Sequence, residues 1–337
     1  MIRSLFAAAS ALALLSGAAA AQDLTKVSFG TNWVPQAEHG GYYQAVADGT
    51  YASCGLDVSI LPGGPQVNNR ALLLAGKVDF LMDGNLLQPF NAVAQGIPML
   101  AVAAHFQKEP QVLLSHPGKV ENFVGLKDLD KLFIGDNGFQ SYYQWLMTDF
   151  GFEASKRVPY TFNPAPFIAD EDSAQQGYIT SEPFAIETEG GFAPDIWLLA
   201  DEGFSTYATL VVAMSETIEE TPEVVKCFVE GSAIGWAKYL YGDPSAANAL
   251  IQEANPDMSD AQIAYSIDKM KEYGIVDSGD SLELGIGAMT DATIKDFFDK
   301  MVKSGVLDAG LDYTAAYTLD FANTGAALPV KAELTGN

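Results

Sequence analysis

The chain has 337 residues, 48% of them hydrophobic and only 18% charged, enough apolar material for one large core or two ordinary ones, and wholesale disorder is excluded. Lysine and arginine total 18 against 43 acids, a formal charge of −25. A chain this acidic repels a phosphate backbone and avoids anionic lipid, so nucleic acid is not an expected partner.

The first segment reads as an address. Met1-Ile2-Arg3 gives a positive start, Leu5 to Leu15 an apolar run, and Ala18 to Ala21 the small residues of a cleavage site. A secretory signal peptide over 1–21 is expected, cut after about Ala21, and with it a periplasmic location. The run is shorter than the roughly 20 residues of a membrane span. No cysteine follows the cut to take a lipid, since the first is Cys54. Cys54 and Cys227 therefore meet an oxidising compartment, either as one long-range disulfide or as two buried thiols, and the thiols are preferred. His39, His105 and His116 show no metal-ligand spacing with them, so no metal site is expected.

Strands and helices alternate after that. Val27 to Trp33 reads as a strand, Gly41 to Ser53 as a helix, and Leu56 to Leu61 as a strand. A Gly63-Gly64-Pro65 turn leads to a helix over Val67 to Ala75, a strand over Val78 to Met82, a helix over Leu86 to Ala94 and a strand over Pro98 to Ala104. This pattern predicts parallel α/β architecture. A second unit starts near His116, with a strand over Leu132 to Gly135, a helix over Ser141 to Phe150 and a short helix over Asp172 to Gly177. Tyr178 to Thr180 and Asp195 to Leu199 follow as strands. Ala208 to Met214 is a strong β run, and a long helix covers Pro222 to Leu240, with proline in its first turn. Helices are expected again over Asp243 to Glu253, Ser259 to Tyr273 and Thr290 to Ser304. No linker of disordered composition separates the two blocks, which favours packed lobes.

No nucleophile elbow, phosphate loop, dinucleotide fingerprint or zinc-protease motif is present, so no catalytic residues are assigned and no enzyme is expected. Four polar-aromatic clusters each follow a strand, where ligands of open α/β sheets settle. Asn32, Trp33, His39 and Tyr42 lie in the first, with Gln36 and Glu38 among them. Asn85 lies in Asp83-Gly84-Asn85. Phe139, Gln140, Ser141 and Tyr142 form the third, and Tyr178 and Glu182 flank the fourth. Two clusters from each unit would line a cleft between lobes.

At these clusters the chain resembles the periplasmic substrate-binding proteins of ABC importers, in the branch related to thiamine-pyrimidine biosynthesis proteins. The matching pieces are TNWVPQAEHGGYYQA at Thr31, of the W-x-P-x-x-x-H-x-G-x-Y type, GLDVSILPGGPQVNNRALLLAGKVDF at Gly55 and YITSEPFAIE at Tyr178. The resemblance implies a two-lobed α/β periplasmic binding protein fold of type II, with two crossovers and a ligand cleft between the lobes. One lobe would comprise 22–114 and 206–337, the other 115–205. Trp33 and Tyr42 would contact a flat heterocycle, His39 is the motif histidine, and Glu182 is the acid facing the cleft. The implied role is that of a monomer that binds a thiamine pyrimidine precursor, a related pyrimidine or riboflavin and delivers it to an ABC permease in the inner membrane, without a cofactor.

Beyond Arg3 the only arginines are Arg70 and Arg157, neither placed clearly in a cleft. A carboxylate in the site would repel sulfonate, taurine or nitrate and accept hydrogens from an aminopyrimidine. Anions therefore rank second as ligands, and an exported enzyme on the same fold third.

Overall fold

Residues 23–64 and 67–336 are described by the computed structural model, so the expected signal peptide and Pro65 lie outside the described residues. The strands are β1 (Thr25–Gly30), β2 (Leu56–Leu61), β3 (Phe80–Asn85), β4 (Met99–Phe106), β5 (Gln111–Ser115), β6 (Lys131–Ile134), β7 (Arg157–Pro159), β8 (Ser173–Tyr178), β9 (Asp195–Leu198) and β10 (Ala208–Met214). They form two five-stranded sheets, ordered β2-β1-β3-β10-β4 and β7-β6-β8-β5-β9.

Both sheets are mixed rather than parallel throughout. In the first, β1 runs parallel to β2 and β3, whereas β10 is antiparallel to β3 and β4. In the second, β6 is parallel to β7 and β8, whereas β5 is antiparallel to β8 and β9. The physical reason is the route of the chain. β5 and β10 are the strands reached by crossing from one sheet to the other, and each enters its new sheet reversed. The crossings run through 107–110 and 199–207. β5 thus belongs to the second sheet, and the first crossing comes earlier than the expected boundary at 114/115.

Other elements also differ from expectation. The segment expected as a helix over Asp172 to Gly177 is β8, central in its sheet. Its polar residues turn inward, Gln176 accepting from the Gly135 N–H at 2.7 Å and the buried Gln175 donating to the Tyr160 hydroxyl at 3.3 Å, which disguises the strand in sequence. The helix expected over Gly41 to Ser53 is broken at Gly49, whose φ of 76° is readily adopted by glycine. The helix expected over Ser141 to Phe150 shortens to Tyr142–Trp145 followed by a wider turn.

The long helix Pro222–Tyr241 is the spine of the first lobe. Its Phe228 stacks on Phe80 and Tyr51 at 4.3 and 5.3 Å between ring centroids. The Gly40–Ala47 helix lies directly against it: a Cβ on Gly41 would come within 2.2 Å of Trp236, and one on Gly235 within 2.1 Å of the Gly41 carbonyl oxygen. Close approach of these backbones fixes the start of that helix, which carries the site. The preference for free thiols is corrected, because Cys54 and Cys227 form a disulfide with Cα atoms 5.9 Å apart, within the range a bridge spans. Helix packing brings Cys54, after the Thr50–Ser53 turn, beside the long helix. Among the described residues no helix is long and apolar enough to cross a membrane.

Candidate ligand-binding site

The two sheets bring the four clusters towards one another. From the first lobe, β1 ends at Gly30 and the chain passes through Asn32 and Trp33 before entering the 3₁₀ turn Ala37–His39 and the Gly40–Ala47 helix. From the second, the loop after β7 carries Phe162, and β8 runs through Tyr178 into the helix that starts at Glu182. Trp33 and Phe162 meet between the lobes with ring centroids 3.9 Å apart and planes tilted by 49°. Phe162 holds this place with a φ of 62°, a left-handed conformation that costs a non-glycine residue about 1–3 kcal/mol. Strain of this kind is tolerated where surrounding contacts require it.

Polar bonds cross the same gap. The Thr180 hydroxyl, just past β8, donates to Glu38. The Asn85 amide, at the end of β3, donates to Ser141 Oγ at 3.3 Å, while its oxygen accepts from the Leu87 N–H. Behind these bonds the helix Asp260–Glu272 reaches from the first lobe to the second: Gln262, Tyr265 and Ser266 donate to the carbonyls of Ser181, Ile179 and Thr180. The lobes are closed on one another.

Three carboxylates converge there, one from each part of the fold. Glu38 enters from the first lobe, Glu109 from the first crossing and Glu182 from the second lobe. All three adjoin the stretch just past β8: Glu182 accepts from the Tyr178 N–H, Glu38 from the Thr180 hydroxyl, and Pro110, next to Glu109, accepts from the Ile179 N–H at 3.0 Å. Burial pushes Glu38 up to about 7, against the hydrogen bond from Thr180, which favours its ionised form. Burial likewise pushes Glu109 up to about 8, although the Asn85 side chain and the Gln111 N–H hydrogen-bond to it. Glu182, whose Oε2 accepts from the Tyr178 N–H at 2.7 Å, is raised by burial to about 7. No lysine or arginine among the described residues pairs with any of the three. Nor is any group of three or more His, Cys, Asp or Glu placed to hold a metal ion.

The expected site residues divide accordingly. Asn32 lies 3.4 Å from His39 Nε2, and burial lowers that histidine to about 3, so it is neutral. Trp33, His39, Asn85, Ser141, Tyr142, Tyr178 and Glu182 take part in the gathering between the lobes or stand directly behind it. Tyr142 is anchored by its hydroxyl, which donates to Gln176 Oε1 at 3.0 Å. Tyr42 is corrected: it is fully buried in the core, 4.5 Å from Phe29 between centroids, with its hydroxyl 2.9 Å from His105 Nδ1. Phe139 packs on Tyr143 and beneath the Arg157 guanidinium, within its own lobe, and Gln140 is exposed.

Glu109 and Phe162 escaped the sequence reading, and Glu38 stood in the first cluster without being among the expected contacts. Glu109 carries a usable signal, since the Glu-Pro pair at 182–183 recurs at 109–110. Both arginines are occupied: Arg70 pairs with Asp83 at 2.6 Å, and Arg157 pairs with Asp136. Two open depressions, of about 350 and 370 Å³, lie elsewhere, the first beside Pro244, Ile263 and Ile267 and the second beside Lys119 and Asp172. They gather no comparable set of buried polar groups, so the chemistry points to the gap between the lobes.

Comparison with known proteins agrees with this architecture. No curated protein sequence matches the chain. Among solved structures, the CA3427 gene product of Candida albicans, described as having the generic periplasmic binding protein fold, is 15% identical with a TM-score of 0.63, covering 89% of this chain and 97% of its own. The periplasmic nitrate-binding protein NrtA of Synechocystis PCC 6803 is 15% identical with a TM-score of 0.61, covering 93% and 91%. A desulfurization enzyme, DSZB, is 13% identical with a TM-score of 0.51, covering 89% and 98%. At such identities the likeness shows the fold, which is the periplasmic binding protein fold. The sequence itself goes further: residues 36–247, which include Glu38, Glu109 and Glu182, match the family model described as NMT1/THI5 like, and the chain belongs to that family.

Proposed function

We propose that this chain is the periplasmic solute-binding component of an ABC importer and that it binds a small aromatic nitrogen heterocycle, a thiamine pyrimidine precursor or a related pyrimidine or flavin. The observation that carries the reading is an aromatic pair, Trp33 and Phe162, drawn from opposite lobes beside three carboxylates without a cationic partner. A flat ring would replace the contact between the two aromatics, and ring or amino N–H groups would donate to the carboxylates. The ligand enters while the lobes stand apart, and closure buries it. No bond is made or broken. The closed form then docks, as an exported monomer cleaved after about Ala21, on a membrane permease that takes the ligand onward.

The second reading is a small anion, nitrate, taurine or a sulfonate, and a nitrate-binding protein of the same fold motivates it. Against it stand the acidic gap and the two arginines already paired with Asp83 and Asp136. The third is an exported enzyme of this fold, motivated by the desulfurization enzyme. Native mass spectrometry of the purified protein, followed by denaturation, tests all three. An intact pyrimidine or flavin is the expected release. A released sulfonate or nitrate overturns the ligand class, and a ligand returned chemically altered overturns the binding role.

A further inference from the structure

Two of the three carboxylates hold more than they share. Glu38 and Glu109 are 3% and 2% exposed, and in each the Oε2 atom is buried without a hydrogen-bond partner among the described residues. A buried carboxylate oxygen left unpartnered is costly, and the two come from separate parts of the chain, the entry to the first helix and the first crossing. The groups around them form a continuous path. Trp33 touches Phe162, Phe162 lies 5.0 Å from Tyr160 between centroids, and the Tyr160 hydroxyl accepts from Gln175 on β8 at 3.3 Å. Just past β8, Glu182 accepts from the Tyr178 N–H, Glu38 from the Thr180 hydroxyl, and Pro110, next to Glu109, from the Ile179 N–H at 3.0 Å. One end of the path is aromatic and the other is acidic, where one oxygen each of Glu38 and Glu109 is buried without a partner.

Resting on the heterocycle reading, we propose that the ligand carries a cationic nitrogen with at least two N–H donors, an alkylammonium or amidinium attached to the ring, and that Glu38 and Glu109 take its hydrogens. The ring occupies the Trp33–Phe162 end and the cation the acidic end. A neutral arm bearing one hydroxyl fills one acceptor at most, whereas an ammonium supplies three donors and the charge that buried carboxylates lack. The raised values of both acids agree with a site whose empty form resists ionisation and whose occupied form favours it.

The test is calorimetric titration at pH 8 with three probes that differ only in one arm: 4-aminopyrimidine carrying a 5-aminomethyl, a 5-hydroxymethyl or a 5-methyl group. The aminomethyl compound is expected to bind at least ~10-fold tighter than the hydroxymethyl one, as a charge-assisted hydrogen bond would give. Glu38→Gln and Glu109→Gln, near-isosteric and uncharged, are each expected to remove most of that preference while retaining the hydroxymethyl compound. Equal binding of the two arms by the unaltered protein overturns the cation proposal and leaves the heterocycle reading standing, whether or not the variants fold. A preference that survives in both variants also overturns the assignment to Glu38 and Glu109. Failure of all three pyrimidines to bind overturns the pyrimidine ligand and this proposal with it.

Discussion

Thr180 is held from both sides by the opposite lobe, its hydroxyl donating to Glu38 and its carbonyl accepting from Ser266 Oγ at 2.7 Å. Tyr265 and Gln262 add donors to the neighbouring carbonyls of Ile179 and Ser181, each at 3.3 Å. Positions 262, 265 and 266 share one helix face, so the Asp260–Glu272 helix acts as a strap across the lobes. Each such bond is worth about 1 kcal/mol net. The double variant Tyr265→Phe, Ser266→Ala, which removes two of them, is therefore expected to open more readily and release ligand about 30-fold faster, with its association rate unchanged. Stopped-flow fluorescence with an aminopyrimidine would check this. A slower association with normal release would place the strap's effect elsewhere.

Trp33 and Phe162 are in contact yet not deep in either core. Trp33→Leu loses an aromatic pairing worth about 0.5–1.5 kcal/mol, and its partner keeps its place beside Tyr160. The folded state should lose little, while affinity for an aminopyrimidine falls at least ~10-fold. Thermal melts beside calorimetry separate the two effects. Unchanged affinity would mean that the ring does not sit between these side chains.

The sequence made the alternation of strands and helices, the long helix after Thr221 and most of the first motif readable, because each has a local signature. Reversed strands are not local. Whether β10 runs antiparallel depends on a crossing that brings it back from the other lobe, and the glutamines of β8 meet their partners, Gly135, Tyr142 and Tyr160, only in the folded chain. Burial was similarly invisible at Tyr42 and Glu38. Both lie on one short stretch of the first motif, and only their partners distinguish them, Phe29 and His105 for Tyr42 and Thr180 of the other lobe for Glu38. Phe162 had no signature at all, since an aromatic residue in a loop acquires meaning only from what the second lobe sets it against.

Tyr42 offers a direct check on that division. Its ring packs on Phe29 and Trp236, and its hydroxyl is the partner of the neutral, fully buried His105. Tyr42→Phe keeps the ring and strands the histidine nitrogen, a cost of about 1–3 kcal/mol in stability. Denaturant unfolding should show the loss, and ligand affinity should not change. A large loss of affinity with full stability would return Tyr42 to the site.

The Cys54–Cys227 bridge closes a loop across a sequence separation of 173, so reduction frees much of the unfolded chain. Removing such a bridge costs about 2–5 kcal/mol. Calorimetric melts with and without reductant should differ by several degrees, and a Cys54→Ser, Cys227→Ser variant should melt like the reduced protein and ignore reductant. Identical melts in both conditions would show that helix packing alone holds Cys54 against the long helix.

Stability should also depend on pH in opposite senses on the two sides of about pH 5. Burial raises Glu38, Glu109 and Glu182 from 4.5 to about 7, 8 and 7, so the folded chain keeps protons that the unfolded chain has released. Their contribution is fully present below about 4.5 and is lost as pH climbs towards 8. Burial lowers His39 and His105 from 6.5 to about 3, so there the unfolded chain binds more protons, and that contribution is lost as pH falls from 6.5. Between about 4.5 and 6.5 the three carboxyls outweigh the two histidines by about one proton, so stability falls by about 1.4 kcal/mol per pH unit there, and the ligand-free protein should be most stable near the acid end of that window. Urea midpoints measured from pH 4 to pH 9 would trace the curve, and Glu109→Gln should flatten its alkaline side. Stability that rises from pH 6 to pH 8 would mean that the three carboxylates are ionised and paired in the folded chain, which their surroundings oppose.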